Sequence, residues 1–228
     1  MAFCLSEVVP WGRSFAEYQA MFALDDADLA RFILGCGDGP AAFNAYLSQQ
    51  QGQVISVDPL YQFAAPEIQA RIEETFPVVL AQVRRNMQDF VWSSIADVDD
   101  LGRVRMEAMQ DFLADYPQGR DKKRYRTGTL PALDFPAQHF DLALCSHLLF
   151  LYSEQCSRSF HIRSVLELCR VAGEVRVFPL VDLTGSRSCH LDAVLEAIEA
   201  REYVWSVEEV NYEFQRGGNQ MLRIIISS

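Results

Sequence analysis

A glycine-rich turn between a predicted strand and a predicted helix constrains this chain more than any other feature. The strand is Phe32-Ile33-Leu34, the turn runs from Gly35 to Gly39, and Pro40 opens a helix predicted over 41–47. Glycines lack a Cβ, so a ligand can approach their backbone closely and positive φ angles are accessible. The helix N-terminus adds free N–H groups and a partial positive charge. Such a turn predicts a ligand site built largely from backbone.

An acid follows this turn at the spacing expected for a nucleoside cofactor. Residues 54–57 (Val-Ile-Ser-Val) predict a second strand that ends at Asp58-Pro59. The Asp58 carboxylate can accept two hydrogen bonds from a ribose diol. Gly37-x-Gly39-x-x-Ala42 also satisfies the dinucleotide fingerprint, with Asp58 placed 21 residues after Gly37. Taken alone, this pattern predicts a nucleoside cofactor and is compatible with a nicotinamide or flavin enzyme.

Short apolar runs and longer helical patterns alternate along the chain, which predicts an α/β fold around a mostly parallel sheet. The capping box Ser14-x-x-Glu17 starts an N-terminal helix. The later predicted elements are strands at 124–126, 140–145 and 174–178, helices at 157–171 and 191–198, and final strands at 203–214 and 220–227. The turn 216–219 between the last two strands predicts a hairpin. The sheet is therefore expected to end with an antiparallel strand.

Residues 59–123 are too many for an ordinary crossover between parallel strands. Apolar residues at helical spacing predict one helix around 68–83, which Pro77 is expected to kink or split, and another around 101–112, closed at 116–119. The prediction is one domain spanning 1–228 with a helical insertion at 59–123. The insertion is placed to act as a lid over a ligand pocket, lined by Phe76, Phe90, Trp92 and Phe112.

Composition limits the partners and the compartment. The 228 residues include 20 Lys and Arg against 31 Asp and Glu, a formal net charge of −11, which argues against nucleic acids and anionic membranes as partners. Residues 1–7 lack the pattern of a signal peptide, and the apolar stretch 140–152 is too short to span a bilayer, so a cytoplasmic location is predicted. The cysteines (4, 36, 145, 156, 169 and 189) form no C-x-x-C pair, so no metal is predicted and most are expected to be buried.

The sequence resembles class I S-adenosylmethionine-dependent methyltransferases, in a bacterial branch of methyltransferase-like proteins. Their glycine motif runs acid-x-Gly-x-Gly-x-Gly, and a gap-free register places Gly35 at the acid, Gly37 and Gly39 at the first two glycines, and Ala41 at the third. Asp58 falls at the position of the ribose-binding acid. The blocks 133–146 and 167–171 are similar to the family's approaches to its fourth and fifth strands. The resemblance covers about 31–58 and 124–228.

The resemblance implies a three-layer Rossmann-like methyltransferase fold, S-adenosylmethionine as cofactor, S-adenosylhomocysteine as product and a small-molecule acceptor. Asp38 is the candidate to replace the acid missing at Gly35. Thr129 or Gly128 stands where the family has an adenine-contacting acid. The residues implied to bind the cofactor are Arg13, Gly35, Cys36, Gly37, Asp38, Gly39, Asp58, Pro59, Leu60, Thr129 and Cys145.

Some of these residues also have structural interpretations. Arg13 is a candidate partner for the cofactor carboxylate and Trp11 a candidate shield, but the two residues equally suit an anchor for the N-terminal helix. Leu60 and Tyr61 suit either adenine packing or core packing.

Ser146 and His147 are the candidate catalytic residues. They follow the fourth strand at the carboxyl edge, where sheets of this kind bind ligands. His147 is a candidate base or orienting group for the acceptor, and its alternative is a structural histidine at a helix start beneath Phe150. His139 and His161 are expected on the surface, and His190 at the start of a helix.

Five basic residues crowd positions 120–126, in contrast to the acidic chain as a whole. They predict either a solvated loop or a rim that recognises an anionic acceptor, joined by Arg84, Arg85, Arg103 and Arg105. Three functions stay open at this point: methyl transfer from S-adenosylmethionine to a small molecule, a non-catalytic methyltransferase-like binding or regulatory protein, and an NAD(P)-dependent oxidoreductase.

Overall fold

The computed structural model describes residues 9–226 and is built around a seven-stranded sheet. The strands are β1 (Phe32–Cys36), β2 (Gln53–Val57), β3 (Tyr125–Arg126), β4 (Phe140–Ser146), β5 (Ala172–Phe178), β6 (Val204–Glu209) and β7 (Gln220–Ile225). They lie in the order β3-β2-β1-β4-β5-β7-β6. β7 is antiparallel to both of its neighbours, and the remaining pairs are parallel. This arrangement confirms the predicted sheet with its antiparallel last strand.

Seven α-helices surround the described sheet. They are α1 (Phe15–Met21), α2 (Asp26–Leu29), α3 (Phe43–Gln49), α4 (Ala65–Arg85), α5 (Val98–Asp121), α6 (Arg158–Val171) and α7 (Leu191–Glu199), with 3₁₀ turns at Pro59–Gln62 and Met87–Asp89. The segment 59–123 is thus largely helical, as predicted. Within the described residues, no helix is both long and apolar enough to cross a membrane. The predictions made for residues 1–7, including Cys4, lie outside the described residues.

The sheet forms the middle of three layers. Successive residues of a strand point to opposite faces, and both faces of β4 are buried from Leu142 onward. Leu142 packs on one face in a core that includes Phe43 of α3. Ala143 packs on the other face in a core that includes Leu168 of α6. This confirms the predicted three-layer α/β architecture.

Neither of the prolines inside the two long helices interrupts its helix. α4 is not split at Pro77, and α5 does not end at 116–119 but continues to Asp121. A proline inside a helix removes one backbone hydrogen bond. The end of α5 is nevertheless held, because the Tyr116 hydroxyl donates to the carbonyls of Tyr61 at 3.0 Å and Phe63 at 2.9 Å.

Two other predicted boundaries are wrong because chain segments make tertiary contacts there. α3 begins at Phe43, since the turn continues through Pro40 and the Ala42 N–H donates to the Arg13 carbonyl at 3.0 Å. β6 ends at Glu209 instead of 214. The residues that follow β6 leave the sheet and pack against the segment after α4, where the Val91 N–H donates to the Phe214 carbonyl at 2.8 Å.

Candidate functional site

A cavity of about 440 Å³ lies at the carboxyl ends of β1, β2 and β4. Its volume falls within the range of small-molecule sites, roughly 300–1,000 Å³. The strand order reverses between β1 and β4, and ligands of open α/β sheets bind at such a switch point. The lining residues divide into a polar group around the glycine turn and an apolar group that includes residues from α4.

We call the polar group the glycine-turn side; it consists of Cys36, Gly37, Asp38, Gly39 and Asp58. Gly37 and Gly39 have φ angles of 72° and 52°, a region that side chains with a Cβ rarely adopt. A Cβ on Gly37 would also lie 2.7 Å from Leu148. The backbone conformation that shapes this side therefore requires both glycines.

Asp38 folds back over Gly35. A Cβ placed on Gly35 would lie 1.9 Å from Asp38 Oδ2, so the carboxyl fills the space above that glycine. The Tyr18 hydroxyl donates to Asp38 Oδ1 at 2.9 Å, and the Ser56 hydroxyl donates to Oδ2 at 2.6 Å. Burial raises the pKa of Asp38 to about 7, although these two hydrogen bonds lower it. Asp38 thus places a titratable carboxyl at the motif position where Gly35 has no side chain.

Asp58 connects the end of β2 to the glycine turn. Its Oδ2 accepts the Gly39 N–H at 2.9 Å, and its Oδ1 accepts the Leu60 N–H at 2.8 Å. Burial raises the pKa of Asp58, and these two hydrogen bonds act in the opposite direction. Each carboxylate oxygen has a second lone pair. Asp58 therefore retains acceptor capacity toward the cavity.

Arg13 brings a cation to the same cavity from the segment before α1. One of its terminal nitrogens donates to the Trp11 carbonyl at 2.7 Å, while its Nε is buried without a hydrogen-bond partner. No carboxylate of the described residues lies within ion-pair distance of Arg13. Burial lowers its pKa, and so does the charge of Arg105. The unpaired guanidinium is suited to an anionic group of a ligand.

His147 also lines the cavity, and Ser146 next to it holds the ring in place. The Ser146 hydroxyl and His147 Nδ1 are 2.8 Å apart, whereas no hydrogen bond within the described residues involves Nε2. Burial lowers the pKa of His147 well below its usual value, and the charges of Arg13 and Arg105 lower it further. The imidazole is neutral at pH 7, and in the tautomer whose Nδ1–H donates to the Ser146 hydroxyl, Nε2 can accept a proton or a hydrogen bond. It lies in a turn, edge-on to Phe178, and not at a helix start beneath Phe150.

A buried ion pair fixes the elements around Arg13. The Arg105 guanidinium on α5 donates to Glu17 of α1, and the Tyr212 hydroxyl donates to the other Glu17 oxygen at 2.8 Å. Glu17 also closes the predicted capping box with Ser14. Burial alone would raise the pKa of Glu17, but the charges of Arg105 and Arg13 and the hydrogen bonds bring it to about 2. α1, α5 and the connection before β7 are thereby joined.

Most residues predicted for the site line this one cavity: Arg13, Cys36, Gly37, Asp38, Gly39, Asp58, Pro59, Leu60, Thr129, Ser146 and His147. Gly35 and Cys145 are not among the lining residues. Gly35 lies beneath the Asp38 carboxyl, and Cys145 is buried in the core between the sheet and α6. Tyr61 is a core residue packed among the rings of Phe112, Tyr116 and Tyr125, although its hydroxyl donates to the Gly39 carbonyl at 2.7 Å.

No residue of the basic stretch 120–126 is among the lining residues of the cavity, which favours the solvated loop over the anion-recognising rim. Arg124 is paired with Asp115 at 2.7 Å, and Arg126 lies over the ring of Phe135. Among the additional arginines, Arg84 and Arg103 pair with acids on the protein surface. These side chains are used for structural contacts.

The apolar wall was not predicted as a group; it consists of Val79, Val83, Phe90, Leu151, Leu183 and Phe214. The helical pattern around Val79 and Val83 predicts that these side chains are buried but does not predict which residues they pack against. Phe90 was predicted to line a pocket and does so, whereas Phe76, Trp92 and Phe112 are not lining residues. No local sequence signal joins Phe214 to α4, because their contact depends on the tertiary fold.

His161 is fully buried, and its predicted surface position is wrong. Its ring stacks on Phe150 and lies 4.5 Å from the ring of His190, which precedes α7 as predicted. His139 is exposed, as predicted. Among residues 9–226, no group of three or more His, Cys, Asp or Glu side chains is arranged to hold a metal ion.

Comparison with known proteins finds one curated relative of nearly equal length. Uncharacterized protein MJ0045 of Methanocaldococcus jannaschii is 31% identical over 221 residues, covering 96% of this chain and 97% of the relative. No family model matches the chain.

Solved structures identify the fold. The methyltransferase domain of bacterial CtHen1-C is similar with a TM-score of 0.51 at 12% identity, covering 89% of this chain and 93% of that one. The magnesium protoporphyrin IX methyltransferase of Synechocystis PCC 6803 gives a TM-score of 0.47 at 12% identity, covering 89% of this chain and 73% of that one. The chain therefore belongs to the same family as the archaeal protein MJ0045, and its fold is that of the class I methyltransferases.

Proposed function

We propose that this protein transfers a methyl group from S-adenosylmethionine to a small-molecule acceptor and releases S-adenosylhomocysteine. The proposal rests on one observation: Asp38 of the glycine turn, Asp58 at the end of β2 and Arg13, which has no ion-pair partner among the described residues, line the same cavity. An amino-acid group has an ammonium and a carboxylate, and a ribose has a diol. Asp38, Arg13 and Asp58 offer a complementary partner to each of these groups.

The same geometry disfavours a dinucleotide. A pyrophosphate at the glycine turn would lie beside the carboxyls of Asp38 and Asp58, and like charges repel strongly in a buried site. The Ala42 N–H near the start of α3 already donates to the Arg13 carbonyl. This leaves fewer free amides for phosphate than a dinucleotide site offers.

In this proposal each residue has a defined task. Asp58 binds the ribose diol, and Leu60 and Thr129 contact the adenine. Asp38 faces the cationic end of the cofactor, and Arg13 binds its carboxylate. The cofactor supplies an activated methyl group on a sulfonium.

The chain must also place the acceptor and receive its proton. His147 Nε2 takes the proton from an acceptor O–H or N–H as the new bond to the methyl carbon forms and the S–C bond breaks. Ser146 holds the imidazole through Nδ1. Excluding water and aligning the two reactants provide the rest of the rate enhancement. A cytoplasmic location stays a prediction from the sequence.

Calorimetry with four ligands tests the cofactor. We expect S-adenosylmethionine and S-adenosylhomocysteine to bind, and NAD⁺ and NADH not to bind. Asp58→Ala should weaken S-adenosylhomocysteine binding at least tenfold, since hydrogen bonds to charged groups contribute about 1.5–3 kcal/mol. Asp134→Ala, which changes an exposed acid outside the cavity, should leave the affinity unchanged. Binding of NADH without binding of S-adenosylhomocysteine would favour the oxidoreductase alternative.

Turnover separates an enzyme from a binding protein. The protein is incubated with S-adenosylmethionine and a metabolite extract, and S-adenosylhomocysteine is measured by mass spectrometry. Product above the level of a His147→Ala control supports the enzyme. Tight cofactor binding without product supports the non-catalytic alternative.

A further inference from the structure

The apolar wall gives the acceptor side of the cavity a chemical character. Its side chains are Val79, Val83, Phe90, Leu151, Leu183 and Phe214, and none of them can form a hydrogen bond. Val79 and Val83 are 3% and 2% exposed, so the wall is continuous with the protein core. A ligand placed against it loses water without gaining polar contacts, which favours an apolar ligand.

The wall is also held in a fixed shape. The rings of Phe90 and Phe214 stack with centroids 4.9 Å apart. The Arg216 N–H donates to the Asp89 carbonyl at 2.9 Å, and the Arg216 guanidinium donates to the Phe90 carbonyl at 3.2 Å. These bonds connect the segment after α4 to the connection before β7. The wall is therefore formed before any ligand binds.

The charges around the cavity argue against an anionic acceptor. The charged lining residues are Arg13, Asp38, Asp58 and Asp89, so acids outnumber cations. The proposed function uses Arg13 for the cofactor carboxylate. Asp89 is half-buried, and no ion pair joins it to another described residue. A carboxylate or phosphate on the acceptor would therefore meet acids without a cation to neutralise it.

From this we infer that the acceptor is an uncharged, mainly apolar small molecule seated against Val83, Phe90 and Phe214. Its reactive O–H or N–H points toward His147 Nε2. The inference rests on the proposed function, which assigns the glycine-turn side of the cavity to the cofactor. It differs from the anionic acceptor that one of the two interpretations of the basic stretch 120–126 implied, and that stretch does not line the cavity.

Three matched probes test this inference on the full chain saturated with S-adenosylhomocysteine. They are 2-naphthol, which is neutral, 6-hydroxy-2-naphthoate, which is anionic, and 2-naphthylmethylamine, which is cationic at pH 7. Binding is followed by naphthalene fluorescence. We expect 2-naphthol to bind at least tenfold more tightly than either charged probe. Equal or tighter binding of a charged probe, or binding of none of the three, would overturn the inference.

A matched pair of variants locates the probe. Val83→Thr replaces a wall methyl by a hydroxyl and should weaken 2-naphthol binding several-fold, with S-adenosylhomocysteine affinity unchanged. Val204→Thr makes the same change on the edge strand β6, where the side chain is 58% exposed, and should have no effect. An unchanged 2-naphthol affinity in Val83→Thr with intact folding would contradict the inference. Loss of S-adenosylhomocysteine binding in the unmodified protein would instead contradict the proposed function.

Discussion

The two sides of the cavity are built in different ways. The glycine-turn side comes mostly from one short stretch, 36–39, whose shape depends on positive φ angles and on a few short hydrogen bonds. The apolar wall combines α4 and the nearby segment at Phe90 with the connection containing Phe214, which lies more than a hundred residues further along the chain. One side is therefore determined locally, and the other depends on the whole tertiary fold.

This difference suggests how the two sides respond to change. A substitution at the glycine turn acts at once on the groups that face a cofactor. A substitution in the wall changes which acceptor fits while the turn stays in place. The Glu17–Arg105 pair belongs to neither side, since it fixes α1 and α5 relative to each other.

The largest expected effect comes from removing the negative charge of the Glu17–Arg105 pair. Glu17→Gln leaves Arg105, which is 0% exposed, without a counter-charge, and breaking such a buried pair costs about 3–5 kcal/mol of unfolding free energy. Glu107→Gln on α5, the helix that carries Arg105, breaks an exposed pair with Arg103 and should cost less than about 1 kcal/mol of unfolding free energy. Urea unfolding measures both. Equal losses of unfolding free energy in the two variants would show that the Glu17–Arg105 pair does not hold α1 and α5 together.

The same pair predicts how stability depends on pH. The pKa of Glu17 is lowered to about 2 in the folded state, so its contribution is present above the ordinary glutamate pKa of 4.5. It is lost as the pH falls from that value toward 2. The acid sensitivity of Glu17→Gln over this range should be smaller than that of the unmodified protein.

The next effect sharpens the local side of the comparison. Gly35→Ala should weaken S-adenosylhomocysteine binding by about 10- to 100-fold, because the new Cβ would displace the Asp38 carboxyl, with an overpacking cost of about 1–3 kcal/mol. Gly173→Ala in β5 is the matched control, since its Cβ would lie 3.6 Å from its nearest neighbours. Calorimetry compares the two. Weaker S-adenosylhomocysteine binding in Gly173→Ala as well would show that the sheet is generally intolerant of an added Cβ.

The smallest effect concerns the charge of Asp38. With a pKa of about 7, this carboxyl is partly protonated at neutral pH and must lose its proton to face a cation. S-adenosylmethionine affinity should therefore rise by up to about fivefold between pH 6 and 7, reach a rise of about tenfold by pH 8, and level off above that pH. Asp38→Asn should show a flat profile. Calorimetry in two buffers of different ionisation enthalpy counts the released proton, and no release at pH 6 would contradict the prediction.

The sequence predicts the parts of the molecule whose structure is determined by residues close together in the chain. The succession of strands along the chain, the glycine turn and the placement of Asp58 follow from contiguous patterns, and the glycine turn and Asp58 line one cavity. The apolar wall could not be predicted, because helical periodicity gives the buried face of Val79 and Val83 but not the partner.

Other predictions failed because tertiary contacts override local expectation. His161 looks like a surface residue of α6, but Phe150 and His190 cover it. For the basic stretch the sequence left a solvated loop and a rim for an anion open, and the structure pairs Arg124 with Asp115 and places Arg126 over the ring of Phe135. The residues after Glu209 leave the sheet because their carbonyls and amides pair with 89–91.

The Asp38 carboxyl over Gly35 means that two positions share a single volume. Only one of them can carry an acid, so substitutions at these positions should be exchanged as a pair. The double variant Gly35→Asp/Asp38→Gly attaches the carboxyl to residue 35 instead of residue 38. It should restore the S-adenosylmethionine binding that Asp38→Gly alone loses. In relatives of this chain, we expect a covariation in which an acid at either position accompanies a small residue at the other. A search pattern that accepts the acid from either position would find glycine turns of this kind that the standard motif misses.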